Sequence, residues 1–179
     1  MILSGEVNVF YTKVREDGEY LMPLKHLYSA KKGEILFSLL PKNCPEDARL
    51  IVVSSYATLM AIEKFALLDM DHFFLKSMID KWILKTSSVF NNANSPRVYT
   101  AIDEFTTVKL EKDAIAFPSS GINWIHLLKG DIDVYSESTP IPYKKYPYFL
   151  APVSNKLWIK AASDDTEIEV LSTREVLLK

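Results

Sequence analysis

LSGEVNVF, residues 3–10, returns as LKGDIDVY at residues 128–135, with apolar, glycine, acidic, aliphatic, polar, valine and aromatic positions in the same order. The repeat extends outward. RLIVVSSYATLMAIEKFALL (49–68) follows the first copy and KLWIKAASDDTEIEVLSTREVLL (156–178) follows the second. One inserted residue aligns them: Arg49-Leu50 then faces Lys156-Leu157, Val52 faces Ile159, Thr58 faces Thr166, Met60 faces Ile168 and Ile62 faces Val170. Two matching blocks in one order indicate an internal duplication.

Inside each copy the residues alternate at period two. Val7, Val9 and Tyr11 fall on one face with Glu6, Asn8 and Thr12 on the other, and Ile132 and Val134 alternate with Asp131 and Asp133. Such alternation marks half-buried strands. The glycines Gly5, Gly18, Gly33, Gly121 and Gly130 lie between these runs, and Asp17-Gly18 is a hairpin signal. Prolines 140, 142, 147 and 152 crowd one connection of the second copy.

DHFFLKSMIDKWILK (71–85) departs from this pattern. Phe74-Leu75, Met78-Ile79 and Trp82-Ile83 recur every four residues, opposite Lys76, Asp80, Lys81 and Lys85. That spacing predicts an amphipathic helix capped by Asp71, with Lys85 at its C-terminal end. SSVFNNANSPR (87–97) reads as the connection to the second copy. The expected fold is mainly β: tandem double-stranded β-helices, or jelly rolls, with one helix between them. The expected boundaries are a first roll plus helix over 1–90, a linker over 91–97 and a second roll over 98–179.

Composition narrows the function. With 48% hydrophobic and 25% charged residues the chain can bury a core. A formal charge of −2 argues against nucleic-acid binding, which needs massed cations; Lys31-Lys32 and Lys144-Lys145 read as solvated loop charges. Cys44 is the single cysteine, so no internal disulfide forms and a cytosolic setting is expected. No apolar run is long enough for a bilayer-spanning helix and no signal-peptide pattern opens the chain, so direct membrane insertion is not expected.

The order of strand, Gly-acid, strand, KKGEILF, Arg-led strand, Thr-containing strand and helix is similar to the cyclic-nucleotide-binding β-roll. More closely, MIDKWILKTSSVF, GINWIHLLKGDIDVY and KLWIKA resemble the N-terminal cytosolic region of ATP-binding exporters of NHLM-type (nitrile hydratase leader microcin) bacteriocin clusters. The resemblance covers almost the whole chain, although this sequence carries no GxxxxGK[ST] loop. It implies a regulatory module at an exporter's cytosolic side. The implied partners are the exporter's membrane or ATPase domains, the exported peptide, or a twin subunit. GINWIHLLKG precedes the second repeat, whereas only Met1-Ile2 precedes the first, so the first roll is expected to lack its opening strands and to borrow cover from the second roll or another chain.

The β-roll resemblance also implies a ligand site between residues 33 and 53. Its candidates here are Gly33, Glu34, Ser38 and Arg49. Phe37 and Ser38 stand where the family has Gly-Glu, which removes the tight turn and the ribose acceptor. Arg49 can be placed as the phosphate-pairing guanidinium or read as a strand-end arginine, and bulky Leu50-Ile51-Val52 follows it. Glu34 reads more simply as a turn residue.

Metal-dependent cupin enzymes share this kind of roll, but their sites gather two or three histidines and a carboxylate. His26, His72 and His126 stand apart on a strand, a helix start and a strand, and Cys44 has no evident partner base. No catalytic residue, metal or cofactor is expected. Trp82, Trp124 and Trp158 read as core. Tyr143, Tyr146, Tyr148 and Phe149 in IPYKKYPYFL either contact a partner or fold back over the second roll. The functional expectation is a non-catalytic regulatory or interaction module; a small-molecule sensor and a cupin-like enzyme are the alternatives.

Overall fold

The computed structural model describes residues 1–15, 17–37, 48–62, 69–90, 94–102, 106–136, 139–143 and 150–178. The chain is mainly β and divides into two compact units, Met1–Asp69 and Met70–Lys179.

The first unit is built around one long strand, β1 (Ile2–Lys13). Antiparallel to it run β2 (Lys25–Lys31), β3 (Ala48–Val53) and β4 (Ala57–Leu59). The sheet order is β2-β1-β3, and β4 pairs with the opening residues of β1, with Gly5 opposite Ala57. The Asp17-Gly18 turn forms as expected. Asp17 Oδ1 accepts from the Glu19 amide at 3.0 Å, Gly18 adopts φ +90°, and Val14 bridges Tyr20. Ile2, Val7, Val9, Leu27, Tyr28, Ala30 and Ile35 are buried.

The burial alternation on β1 fails beyond Val9, where the register with β2 also shifts. Val9 lies opposite Tyr28 and Phe10 opposite His26, so Leu27 is the extra residue of a bulge. Thr12, expected on the polar face, is buried and donates to the Met22 carbonyl at 2.8 Å. Tyr11, expected inside, is only half-buried.

The second unit holds α1 (His72–Phe90), β5 (Thr100–Ala101), β6 (Thr106–Leu110), β7 (Ile115–Phe117), β8 (Asn123–Lys129), β9 (Ile132–Ser136), β10 (Thr139–Tyr143), β11 (Ala151–Val153), β12 (Trp158–Ala161), β13 (Thr166–Ser172) and α2 (Thr173–Leu178). One sheet has the order β10-β9-β12-β7-β5 and the other β11-β8-β13-β6. From β6 to β13 the chain changes sheet at every connection except β9 to β10, which is the winding of an eight-stranded jelly roll. The inward residues of both sheets fuse into one core that includes Ile125, Leu127, Ile132, Ile159, Ile168 and Val170.

The helix starts as expected, with Asp71 Oδ1 accepting from the Phe74 amide at 2.9 Å. It then runs past Lys85 to Phe90, into the stretch read as a connection. The Ser87 and Ser88 hydroxyls donate back to the Leu84 and Lys85 carbonyls, at 3.1 and 2.8 Å, which accommodates serines that would otherwise favour a turn. The helix falls within the second compact unit, where α1 packs against α2.

A polar chain ties the two helices to the sheet. Trp124 Nε1 donates to Thr173 Oγ1 at 2.8 Å, Thr173 Oγ1 donates to Asp80 Oδ1, and Lys76 Nζ donates to Asp80 Oδ2 at 2.6 Å. Thr173 is buried. Thr173→Val keeps the shape and strips the indole and one carboxylate oxygen of a partner. We expect a loss of about 1–3 kcal/mol in the urea unfolding of the second unit, followed through its tryptophan fluorescence.

Candidate functional site

Gly33 and Glu34 lie together in the turn that closes β2. Gly33 adopts φ +84° and its amide donates to the Ile2 carbonyl at 2.8 Å. Glu34 Oε2 accepts from the Lys31 amide at 2.9 Å, and the Glu34 carbonyl accepts from the Ile2 amide at 3.0 Å. The carboxylate thus caps its own turn and the backbone stitches that turn to the start of β1. Arg49 is exposed near the start of β3, opposite Thr12 across the ladder. Ser38 and Cys44 lie outside the described residues.

Of the aromatic candidates, Tyr143 ends β10, opposite Ile132 on β9. Tyr146, Tyr148 and Phe149 lie outside the described residues. Trp158 is buried and approaches Phe117 at 6.4 Å, as a core tryptophan should. Trp124 instead lies half-buried next to inward-facing Ile125, where its indole serves the helix contact.

Two of the three histidines have local partners. His26 Nε2 lies 3.1 Å from Asn8 Oδ1, which also accepts from Ser29 Oγ at 2.6 Å. His126 Nδ1 lies 3.1 Å from Glu169 Oε2 on the neighbouring strand. Among the described residues no three His, Cys, Asp or Glu side chains gather as a metal site, and no helix is long and apolar enough to cross a membrane. Lys160 Nζ lies 2.5 Å from Asp113 Oδ1. The hydrogen bond holds the Asp113 carboxyl below the usual carboxylate range and raises the Lys160 ammonium above the usual lysine range. Both groups face solvent, so this pair is surface pairing and not a tuned catalytic group.

One feature that no sequence motif marked lies on the first unit. Leu3, Val52, Val53, Tyr56, Leu59 and Met60 are all exposed on β1, β3, β4 and the residues flanking them. Scattered apolar residues on a surface are ordinary, but six large ones exposed within one small unit are a candidate contact surface.

No family model matches the chain, and no curated protein matches it. Among solved structures, one described as cAMP bound PfPKA-R (141-441) aligns over 97% of this chain at 14% identity with a TM-score of 0.32. The chain spans 63% of that structure's length.

Proposed function

We propose that this protein is a non-catalytic, regulatory interaction module that acts by binding another protein. The observation behind this reading is the exposed apolar group on the first unit, formed by Val52, Val53, Leu59 and Met60 with Leu3 and Tyr56. A monomer gains nothing by hydrating such a surface, whereas a partner that covers it gains the transfer free energy of each side chain.

In its finer form the module is a pair of degenerate cyclic-nucleotide-binding-like rolls. It works in the cytosol beside an exporter of the bacteriocin type, whose soluble domains or cargo peptide it contacts. The turn geometry supports degeneracy: one oxygen of the Glu34 carboxylate is engaged by Lys31, and the Gly33 amide by Ile2. Neither group is then free to serve a ligand without breaking the turn.

The test is thermal unfolding of the purified protein with and without millimolar cyclic AMP, cyclic GMP or ATP. A ligand at about 100 times its Kd adds about 2.7 kcal/mol to apparent stability. We expect no shift with any of the three. A shift that disappears in Arg49→Ala would replace this reading with that of a nucleotide sensor.

A further inference from the structure

Asp17-Gly18 makes the hairpin turn after β1, and it also sets a carboxyl group beside an unshielded amide nitrogen. Asp17 is the chain's one aspartate followed by glycine. The turn is open: Asp17, Gly18 and Glu19 are all exposed, and a Cβ placed on Gly18 would meet nothing within 4 Å. The Glu19 amide donates to Asp17 Oδ1 at 3.0 Å, which draws electron density from the carboxyl carbon, as a fixed amide donor does for a carbonyl under attack. The Gly18 nitrogen has no neighbouring side chain to hinder its approach to that carbon.

Other exposed aspartates lack one part of this arrangement. Asp113 also has a left-handed φ, +69°, but its carboxylate is paired with Lys160 at 2.5 Å and Ala114 follows it. Asp165, at φ +57°, precedes Thr166, and Asp131 precedes Ile132; both followers are β-branched and buried.

We propose that Asp17 is a site of spontaneous covalent modification, isomerising to isoaspartate in the folded protein. The Gly18 N–H first leaves the Arg15 carbonyl, to which it donates at 3.0 Å, so the turn opens locally before it reacts. The Gly18 nitrogen then bonds to Asp17 Cγ. Its proton, a solvent proton and one carboxyl oxygen leave as water, which closes a five-membered imide. Water next adds to the main-chain carbonyl of Asp17 and breaks its original bond to Gly18. The water consumed replaces the water released, and no oxidant, reductant or cofactor enters.

The product runs its main chain through the side-chain carbons of residue 17, one atom longer, and carries its carboxylate on Cα. That extra atom falls inside a tight ladder. Arg15 N donates to the Glu19 carbonyl and Leu21 N to the Lys13 carbonyl, both at 2.8 Å, and Val14 bridges Tyr20. A longer turn puts these pairs out of register, and with them the Met22 carbonyl that holds the buried Thr12 hydroxyl.

The test ages the purified full chain in heavy-oxygen water at neutral pH and body temperature for several weeks, then digests it and separates the peptide isomers by chromatography with mass spectrometry. A synthetic peptide of residues 11–22, YTKVREDGEYLM, is the chemical control. The expected result is an isoaspartate isomer at residue 17 that carries one solvent oxygen and is at least tenfold more abundant than any at Asp113, Asp131 or Asp165. Asp17→Glu, whose imide would need a six-membered ring, should show none. Isomer in the control peptide but not in the full chain would mean that the turn protects the residue, and would overturn the proposal. Absence from both would do the same. Equal amounts at Asp113 would also overturn it, because the glycine neighbour would then not decide the site.

Discussion

Gly5→Ala is expected to destabilise the first unit by about 3 kcal/mol or more, whereas Gly33→Ala costs about 1 kcal/mol. Both glycines occupy the left-handed region, at φ +81° and +84°, so the conformational penalty of a Cβ is the same at each. Their surroundings differ. A Cβ on Gly33 meets nothing within 4 Å, but on Gly5 it would lie 2.4 Å from the Tyr56 carbonyl oxygen and 3.0 Å from the Ala57 Cα. These are backbone atoms, and Ala57 is the ladder partner of Gly5, so relief requires β4 to move away from β1. The glycine that opens the repeat motif therefore serves two ends: it turns the chain, and it lets β4 approach. Urea unfolding of the two variants beside the parent checks this, and equal losses would sink the steric part of the argument.

The same comparison shows what residue types could and could not reveal. Gly5 and Gly130 were legible because the local need is local chemistry: Gly130 also has a positive φ, +78°, and a Cβ there would meet Thr166 Cα at 2.9 Å. The equivalence of Val52 with Ile159 was legible too, and the ladders agree with it. The second block was misaligned. Thr58 resembles Thr166 in identity, but it pairs with Ser4 as Glu167 pairs with Lys129, so two residues are inserted and Leu59 is the counterpart of Ile168. Pairing across a ladder decides register, and identity along one strand does not reveal it. The burial of Thr12 is hidden for a related reason, since its hydroxyl's partner, the Met22 carbonyl, lies ten residues along the chain. The helix end was missed because serines normally speak for a turn until their hydroxyls find a carbonyl one turn back. Of the candidate ligand set, Gly33 and Glu34 come together in one turn, and Arg49 is on a separate strand. The exposed edge could not be read at all: Val52 and Ile159 are both β-branched aliphatic residues at one repeat position, and only the presence of a neighbouring strand separates a core residue from a surface one.

That last point carries the second large effect. Ile168→Ala is expected to cost about 2–5 kcal/mol, because Ile168 is fully buried in the fused core of the second unit and its removal leaves a cavity between two sheets. Leu59→Ala at the equivalent place should stay within about 0.5 kcal/mol, because water already reaches more than half of that side chain. Unfolding midpoints of the two variants in the isolated protein measure the contrast, and similar losses would mean that β4 is already covered. The contrast also reports on occupancy. If a partner covers this surface, Leu59→Ala should weaken binding while leaving the free protein's stability nearly unchanged. A side chain that is neutral for folding and costly for association is the thermodynamic signature of a contact residue, and a merely tolerant surface would not show it.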